Sequence, residues 1–200
     1  AQKYQVCLLP GTLREPAASG HHFNTLLALG PDGKCLAQYR KIFLFKACLP
    51  DRKYDESAYT QAGEERVVFE FEQIRFGLAI CYDLRFPELF RSLKKNRAEV
   101  VFLPAAFTVP TGRAHWETLL RARAIENQVY LAAPGLCGRS GNGAQTFGHS
   151  LVVDPWGKVR TRAAGKPTAL VFQYEHRHGL ECRSKVDAWA SRREDLFPIP

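Results

Sequence analysis

Methionine is absent from these 200 residues, and the chain begins at Ala1. A natural full-length translation product starts with methionine, so the expectation is a fragment, a processed product or an expressed piece. Paired cysteine motifs are missing as well. The six cysteines (Cys7, Cys35, Cys48, Cys81, Cys137, Cys182) are widely spread, with no CxxC and no Cys/His set at zinc-finger spacing. Neither a metal site nor a redox dithiol is indicated. The even count allows disulfides, but the length and an apolar fraction of 46% favour a reduced, intracellular protein. Its expected place is the cytoplasm, with the mitochondrion as the alternative. No stretch is long and apolar enough to span a bilayer, and no signal peptide is visible, so no membrane role is expected. No long basic run carries interleaved aromatics. The net charge of +8 is scattered, with small clusters at Arg91 to Arg97 and Arg177 to Lys185. That reads as a solvated surface and not as a nucleic-acid site, and an anionic small substrate is a milder use of the same charge. The glycine-rich turn Arg139 to Gly143 is not GxGxxG in a βαβ setting, so it has no nucleotide role. No internal repeat or low-complexity segment occurs.

What is present suits one domain with a substantial core. Taken in order, Tyr4 to Leu9 reads as a strand broken by Pro10-Gly11, and Arg14 to His22 as a loop. Phe23 to Leu29 and Cys35 to Tyr39 flank the turn Gly30-Pro31-Asp32-Gly33 as a hairpin. Arg40-Lys41 ends it, before the apolar Ile42 to Phe45. Cys48 to Gly63 lacks periodicity and has the length of a loop that carries function. Further strands are expected at Arg66 to Glu72, Ile74 to Ile80, Glu99 to Pro104, Val129 to Ala133, Ser150 to Val153, Val159 to Arg162 and Ala169 to Tyr174. Thr108 to Gly112 reads as a loop and His115 to Asn127 as a helix. Asp154-Pro155-Trp156-Gly157 is a turn, with Trp156 expected in core packing. The tail from His176 is basic. Strands and helices alternate in part, so the class is α/β or α+β with mixed sheets.

The chain is organised around Ile74 to Leu93, IRFGLAICYDLRFPELFRSL. Its first half is short and apolar, a buried strand. Pro87 opens a run with Leu89, Phe90 and Leu93 at helical spacing, and proline suits a first helical position. Cys81 therefore falls at a strand-to-helix turn, where helix N–H groups and the helix dipole would favour a thiolate. A structural buried cysteine is the bland alternative.

Several segments carry a resemblance. They are Tyr39-Arg40-Lys41, Glu56-Ser57, Ala79 to Glu88 (AICYDLRFPE), His115-Trp116-Glu117, Arg121 to Gln128 (RARAIENQ), Gly148-His149-Ser150 and Val153 to Gly157 (VDPWG). In this order and at this spacing, the sequence resembles the nitrilase superfamily of carbon–nitrogen hydrolases, most closely its omega-amidase and deaminated-glutathione-amidase branch. The resemblance implies an αββα sandwich over residues 1–200, incomplete at the amino terminus. It implies hydrolysis of a C–N bond in a small amide substrate, one expected to bear a carboxylate, by a Glu–Lys–Cys triad. Cys81 matches the nucleophile, Lys41 the lysine, and Glu56 a second glutamate near the site. Homo-oligomers are implied by resemblance only. No metal or organic cofactor is implied, since a thiol and a lysine suffice.

The chemistry fits those residue types. A thiolate attacks the amide carbon, and the tetrahedral oxyanion needs preorganised positive charge or N–H donors. Lys41 supplies the charge, and the backbone N–H of Tyr82 the second donor. Ammonia leaves, and water hydrolyses the thioester with help from a general base. In the family that base is a glutamate preceding the equivalent of Tyr4, so this chain is expected to lack it and to be inactive or weak. The alternative is a non-catalytic form acting by subunit association. Two further departures follow Lys41: Phe43 stands where the family has histidine, and Lys46 where it has an acid. Glu117, Arg121 and Glu126 read as helix ion pairs. His115 and His149 would allow a Cys–His dyad, but neither has a dyad's context.

Overall fold

The computed structural model describes residues 1–49, 53–139 and 143–199. In order the elements are β1 (Thr12–Pro16), β2 (His22–Leu29), β3 (Cys35–Arg40), β4 (Lys46–Cys48), β5 (Lys53–Asp55), β6 (Val68–Phe71) and β7 (Ile74–Leu78). They continue with α1 (Pro87–Lys95), β8 (Val100–Phe102), α2 (Val109–Asn127), β9 (Tyr130–Ala133), β10 (Cys137–Arg139), β11 (Gln145–Phe147), β12 (Leu151–Val153), β13 (Val159–Arg162) and α3 (His176–Lys185).

Two sheets matter for the site. The larger is mixed, in the order β13-β12-β9-β8-β7-β6. Its centre, β7-β8-β9, is parallel, and the outer pairs are antiparallel. Parallel strands need covered faces, and their apolar runs (VVF in β8, YLAA in β9) fit that burial. The helices α1 and α2 supply one cover, through Leu89, Phe90, Leu93, Trp116, Leu120 and Ala124. The other face meets the antiparallel sheet β1-β2-β3, where Leu26, Ala28 and Tyr39 pack on Phe69, Leu78 and Ile80. Three layers of the expected sandwich, helix on sheet on sheet, thus lie within the described residues.

Five expectations need correction. Tyr4 to Leu9 is not a strand: Gln2–Tyr4 is a 3-10 turn closed by left-handed Gln5, and only Leu8 bridges, to Leu29. Its apolar side chains Tyr4 and Val6 find no face to bury and stay exposed. The segment read as a loop from Arg14 contains the end of β1. This edge strand is polar, and Glu15 holds it by accepting from Thr25, Gln38 and Arg40 at 2.5–3.0 Å, a pattern with no apolar alternation to reveal it. The loop Thr108 to Gly112 is the first turn of α2, with Pro110 where a missing N–H costs nothing. Ala169 to Tyr174 forms no ladder, and the basic tail instead contains α3. Trp156 is half exposed at 53% and is not core; Lys185 lies 5.8 Å from its ring centre. In the glycine-rich turn, residues 140–142 lie outside the described residues, as do Pro50 and Asp51 of the long loop.

Candidate active site

Cys81 follows β7 after Ala79 and Ile80. The strand hands over to a 3-10 turn, Cys81–Arg85, and α1 begins only at Pro87. Cys81 has a left-handed backbone, with φ 49°. Its N–H donates to the carbonyl of Pro104 at 3.0 Å, so the end of β8 is stitched beside it. In open α/β sheets this end of the parallel strands is where ligands bind.

The turn is fixed by Asp83, which is fully buried. One carboxylate oxygen accepts from the N–H of Ile80 at 2.8 Å and the hydroxyl of Tyr39 at 2.6 Å. The other accepts from the N–H of Phe43 at 3.0 Å. A single carboxylate thereby ties β3, the segment after Lys41 and the turn that begins at Cys81 together. Burial pushes its carboxyl up to about 6, against the pull of those three donors and Lys41. Burial and the adjacent Asp83 also keep the Tyr39 phenol well above its ordinary range.

Lys41 leaves the end of β3 and is buried, with only 3% of its side chain exposed. Its ammonium is paired with Glu56, itself 12% exposed. Glu56 reaches it because β4 and β5 pair antiparallel and return the chain to Phe45. The carboxylate of Glu56 accepts from the N–H of Phe45 at 2.7 Å and from Asn24 Nδ2 at 3.4 Å. The backbone of Lys41 is clamped between the carbonyl of Asn24 and the N–H of Gly63. Gly63 is required there, since a Cβ would collide with the carbonyl of Arg40.

The structure brings Cys81, Lys41 and Glu56 together. Burial pushes the Cys81 thiol up, Lys41 and the backbone N–H of Ala106 pull it down, and Glu56 and Asp83 raise it further. The upward direction corrects the expectation of a dipole-stabilised thiolate. Five residues of 3-10 turn separate the sulfur from α1, and desolvation outweighs the nearby charge. Tyr82, the expected second oxyanion donor, adjoins Cys81, and its hydroxyl donates to the carbonyl of Lys46 at 3.4 Å.

Neither candidate histidine forms a dyad. His115 Nδ1 is 3.3 Å from the Arg85 guanidinium, and His149 Nδ1 is 2.6 Å from the carbonyl of Phe147. Glu117 pairs with Arg162 and Arg121, and Glu126 with Arg123 and Arg91, as helix anchors. Phe43 stacks on Phe86 at 3.7 Å between ring centres, and Lys46 pairs with Asp55 at 3.3 Å. The first departure thus packs against the residue that precedes α1, and the second is neutralised at the surface.

Sequence reasoning missed Asp83, Asn24, Ala106 and Arg85. Asp83 could have been found from its place three residues after Ile80, where a carboxylate caps a turn. Ala106 gave no signal, because its N–H contributes and not its side chain. Arg85 ends the 3-10 turn that Cys81 begins, with its guanidinium 5.7 Å from the ring centre of Tyr82 and 5.5 Å from that of Phe107. It has no carboxylate partner among the described residues.

Comparison with known proteins agrees with this geometry. Residues 1–172 match the carbon–nitrogen hydrolase family model. The chain belongs to the carbon–nitrogen hydrolase family. A relative is the deaminated glutathione amidase of Synechocystis sp., 44% identical over 172 residues, covering 84% of this chain and 63% of that protein. The chain therefore spans less than two thirds of this relative. Omega-amidase NIT2 of Mus musculus is 36% identical over 200 residues, covering all of this chain and 72% of that protein. Among solved carbon–nitrogen hydrolase structures, that of the NitFhit protein of C. elegans superposes with a TM-score of 0.90 at 38% identity. The match covers 99% of this chain and 49% of that one.

Proposed function

We propose that this chain carries the acyl-transfer site of an amidase that releases ammonia from a small, carboxylate-bearing amide. The observation that carries this reading is the buried Lys41–Glu56 ion pair beside the turn that presents Cys81, with Asp83 tying that turn to the segment after Lys41. The thiol loses its proton and attacks the amide carbon, forming a C–S bond and a tetrahedral oxyanion. Lys41 and the Tyr82 N–H stabilise the oxyanion; the buried Glu56 keeps the ammonium in position. Collapse breaks the C–N bond, the nitrogen takes up a proton and ammonia departs. Water then cleaves the thioester to the acid and restores the thiol.

The carboxylate on the substrate follows from Arg85. A guanidinium on the nucleophile's turn, flanked by two rings and with no acid partner among the described residues, suits a planar anion in bidentate contact. The amidases named above support the reaction class. Ammonia release from carboxylate-bearing amides, set against neutral amides of equal length, tests the reading. Arg85→Leu should raise KM for the acids about tenfold or more and leave the neutral amides unaffected. Equal use of both substrate sets by the unmodified chain would overturn the substrate class.

A second reading rests on the carboxylates themselves. The two whose charge reaches the sulfur, Glu56 and Asp83, are both occupied, by Lys41 with two further donors and by three donors respectively. Neither is free to take the thiol's proton or to activate water. We therefore infer slow turnover for the chain by itself, with association into homo-oligomers as the alternative role. Rapid steady-state ammonia release by the chain alone would remove this second reading.

A further inference from the structure

Two basic clusters that lie about ninety residues apart in the sequence meet in the fold. Lys94 and Lys95 end α1, Arg97 follows two residues beyond it, Arg183 lies on α3, and Arg75 lies on β7; together with Trp189 they line one groove of about 490 Å³. That volume suits a small-molecule ligand. Lysines at a helix C-terminus complement its dipole, which accounts for Lys94 and Lys95. It does not account for Arg75, Arg97 and Arg183, which come from other elements.

The groove is unbalanced in charge. Five cations face a single carboxylate, Glu99, and that carboxylate is already engaged. Its oxygens accept from the Tyr174 hydroxyl at 3.0 Å and the Arg75 N–H at 3.3 Å, with His176 at 2.8 Å. Among the described residues none of the five cations has an acid within ion-pair distance. Two features separate this groove from an ordinary solvated basic face. Arg75 Nε is buried and has no hydrogen-bond partner, a donor left costly until an acceptor arrives. Lys94 is half-buried, and burial together with Arg183 pushes its ammonium down to about 8. A ligand that brings several negative charges relieves both.

We propose that this groove, which shares no lining residue with the Cys81 site, binds an oligophosphate anion. Arginine forks match phosphate oxygens in bidentate fashion, and five cations suit a ligand of three or more charges better than a lone carboxylate. The shared chemistry is a chain of phosphates, which inorganic tripolyphosphate and a nucleoside triphosphate both present. Trp189 borders the groove with Lys94 6.0 Å from its ring centre, a surface on which a base could stack.

Calorimetric titration of the chain with inorganic tripolyphosphate, orthophosphate and ATP at fixed ionic strength tests the proposal. Saturable binding of tripolyphosphate, at least tenfold tighter than orthophosphate, is expected. Arg97→Glu, at an exposed position where folding is not at stake, should weaken it about tenfold, and Arg183→Gln similarly. If ATP binds tighter than tripolyphosphate and Trp189→Ala abolishes the difference, the ligand is a nucleotide; equal binding marks the phosphate chain alone. Absence of saturable tripolyphosphate binding, or binding unchanged in Arg97→Glu with circular dichroism unchanged, would overturn the proposal.

Discussion

The six-stranded sheet holds Cys81 above a core cluster of eighteen buried residues, whereas the three-stranded sheet holds Lys41 beside a cluster of six. The Cys81 side rests on α1 and α2, with Trp116 donating to the carbonyl of His149 and Arg123 to that of Leu84. The lysine's side relies on polar contacts: Glu15 on the edge strand, Glu56 under the ammonium, and Asp83 between the two sheets. One half is held by apolar packing and the other by placed hydrogen bonds. The lesson is that the same site contains a residue whose loss is purely chemical and others whose loss is chemical and structural together.

The sharpest division is expected at Cys81. Cys81→Ala should abolish ammonia release while leaving the denaturant midpoint nearly unchanged; retained turnover would contradict the assignment. Glu56→Gln should strike both. It strips a buried ammonium of its counter-charge, at a cost of about 4 kcal/mol, and lets Lys41 drift from the sulfur. Urea unfolding with parallel activity measurement checks this, and an active, fully stable Glu56→Gln protein would break the contrast between the halves.

Asp83 offers a pH test. Its carboxyl is raised from 3.8 to about 6 in the folded chain, so the folded state holds the proton more tightly than the unfolded one. That contribution is fully present below pH about 4 and is lost as pH rises through about 6, roughly 3 kcal/mol in all. Denaturant unfolding between pH 4 and 7 should show this opposing slope, and Asp83→Asn should flatten it. The smallest effect compares the two cores. Leu120→Ala, in the helix-covered cluster, should cost about 4 kcal/mol, and Leu26→Ala, in the smaller one, about 1 kcal/mol less because its surroundings can close in. Equal losses would mean that the halves are packed alike.

The same division governs how much the sequence disclosed. β7, β8, β9 and α1 were legible because their residues are buried on apolar faces, and periodicity reports burial. Pro87 announced the start of α1 correctly. β1 was illegible, since its stability lies in Glu15 reaching across to Arg40, a contact between polar residues twenty-five positions apart. α3 was hidden by its charge, and the 3-10 turn after Cys81 by its shortness. Within the site, Cys81, Lys41 and Glu56 were visible through family-like motifs. The direction of the thiol's shift was not, because desolvation is a property of the assembled pocket.

Cys81 adopts a rotation that glycine accepts freely and that a residue with a Cβ accepts at a cost of about 1–2 kcal/mol. Cys81→Gly should therefore outlast Cys81→Ala on heating, although neither carries a thiol. The most heat-resistant version of this turn is one that carries no sulfur. Selection for melting temperature alone would drift toward glycine at position 81 and lose the thiol in the process. Durability and chemistry are in direct competition at that single peptide unit.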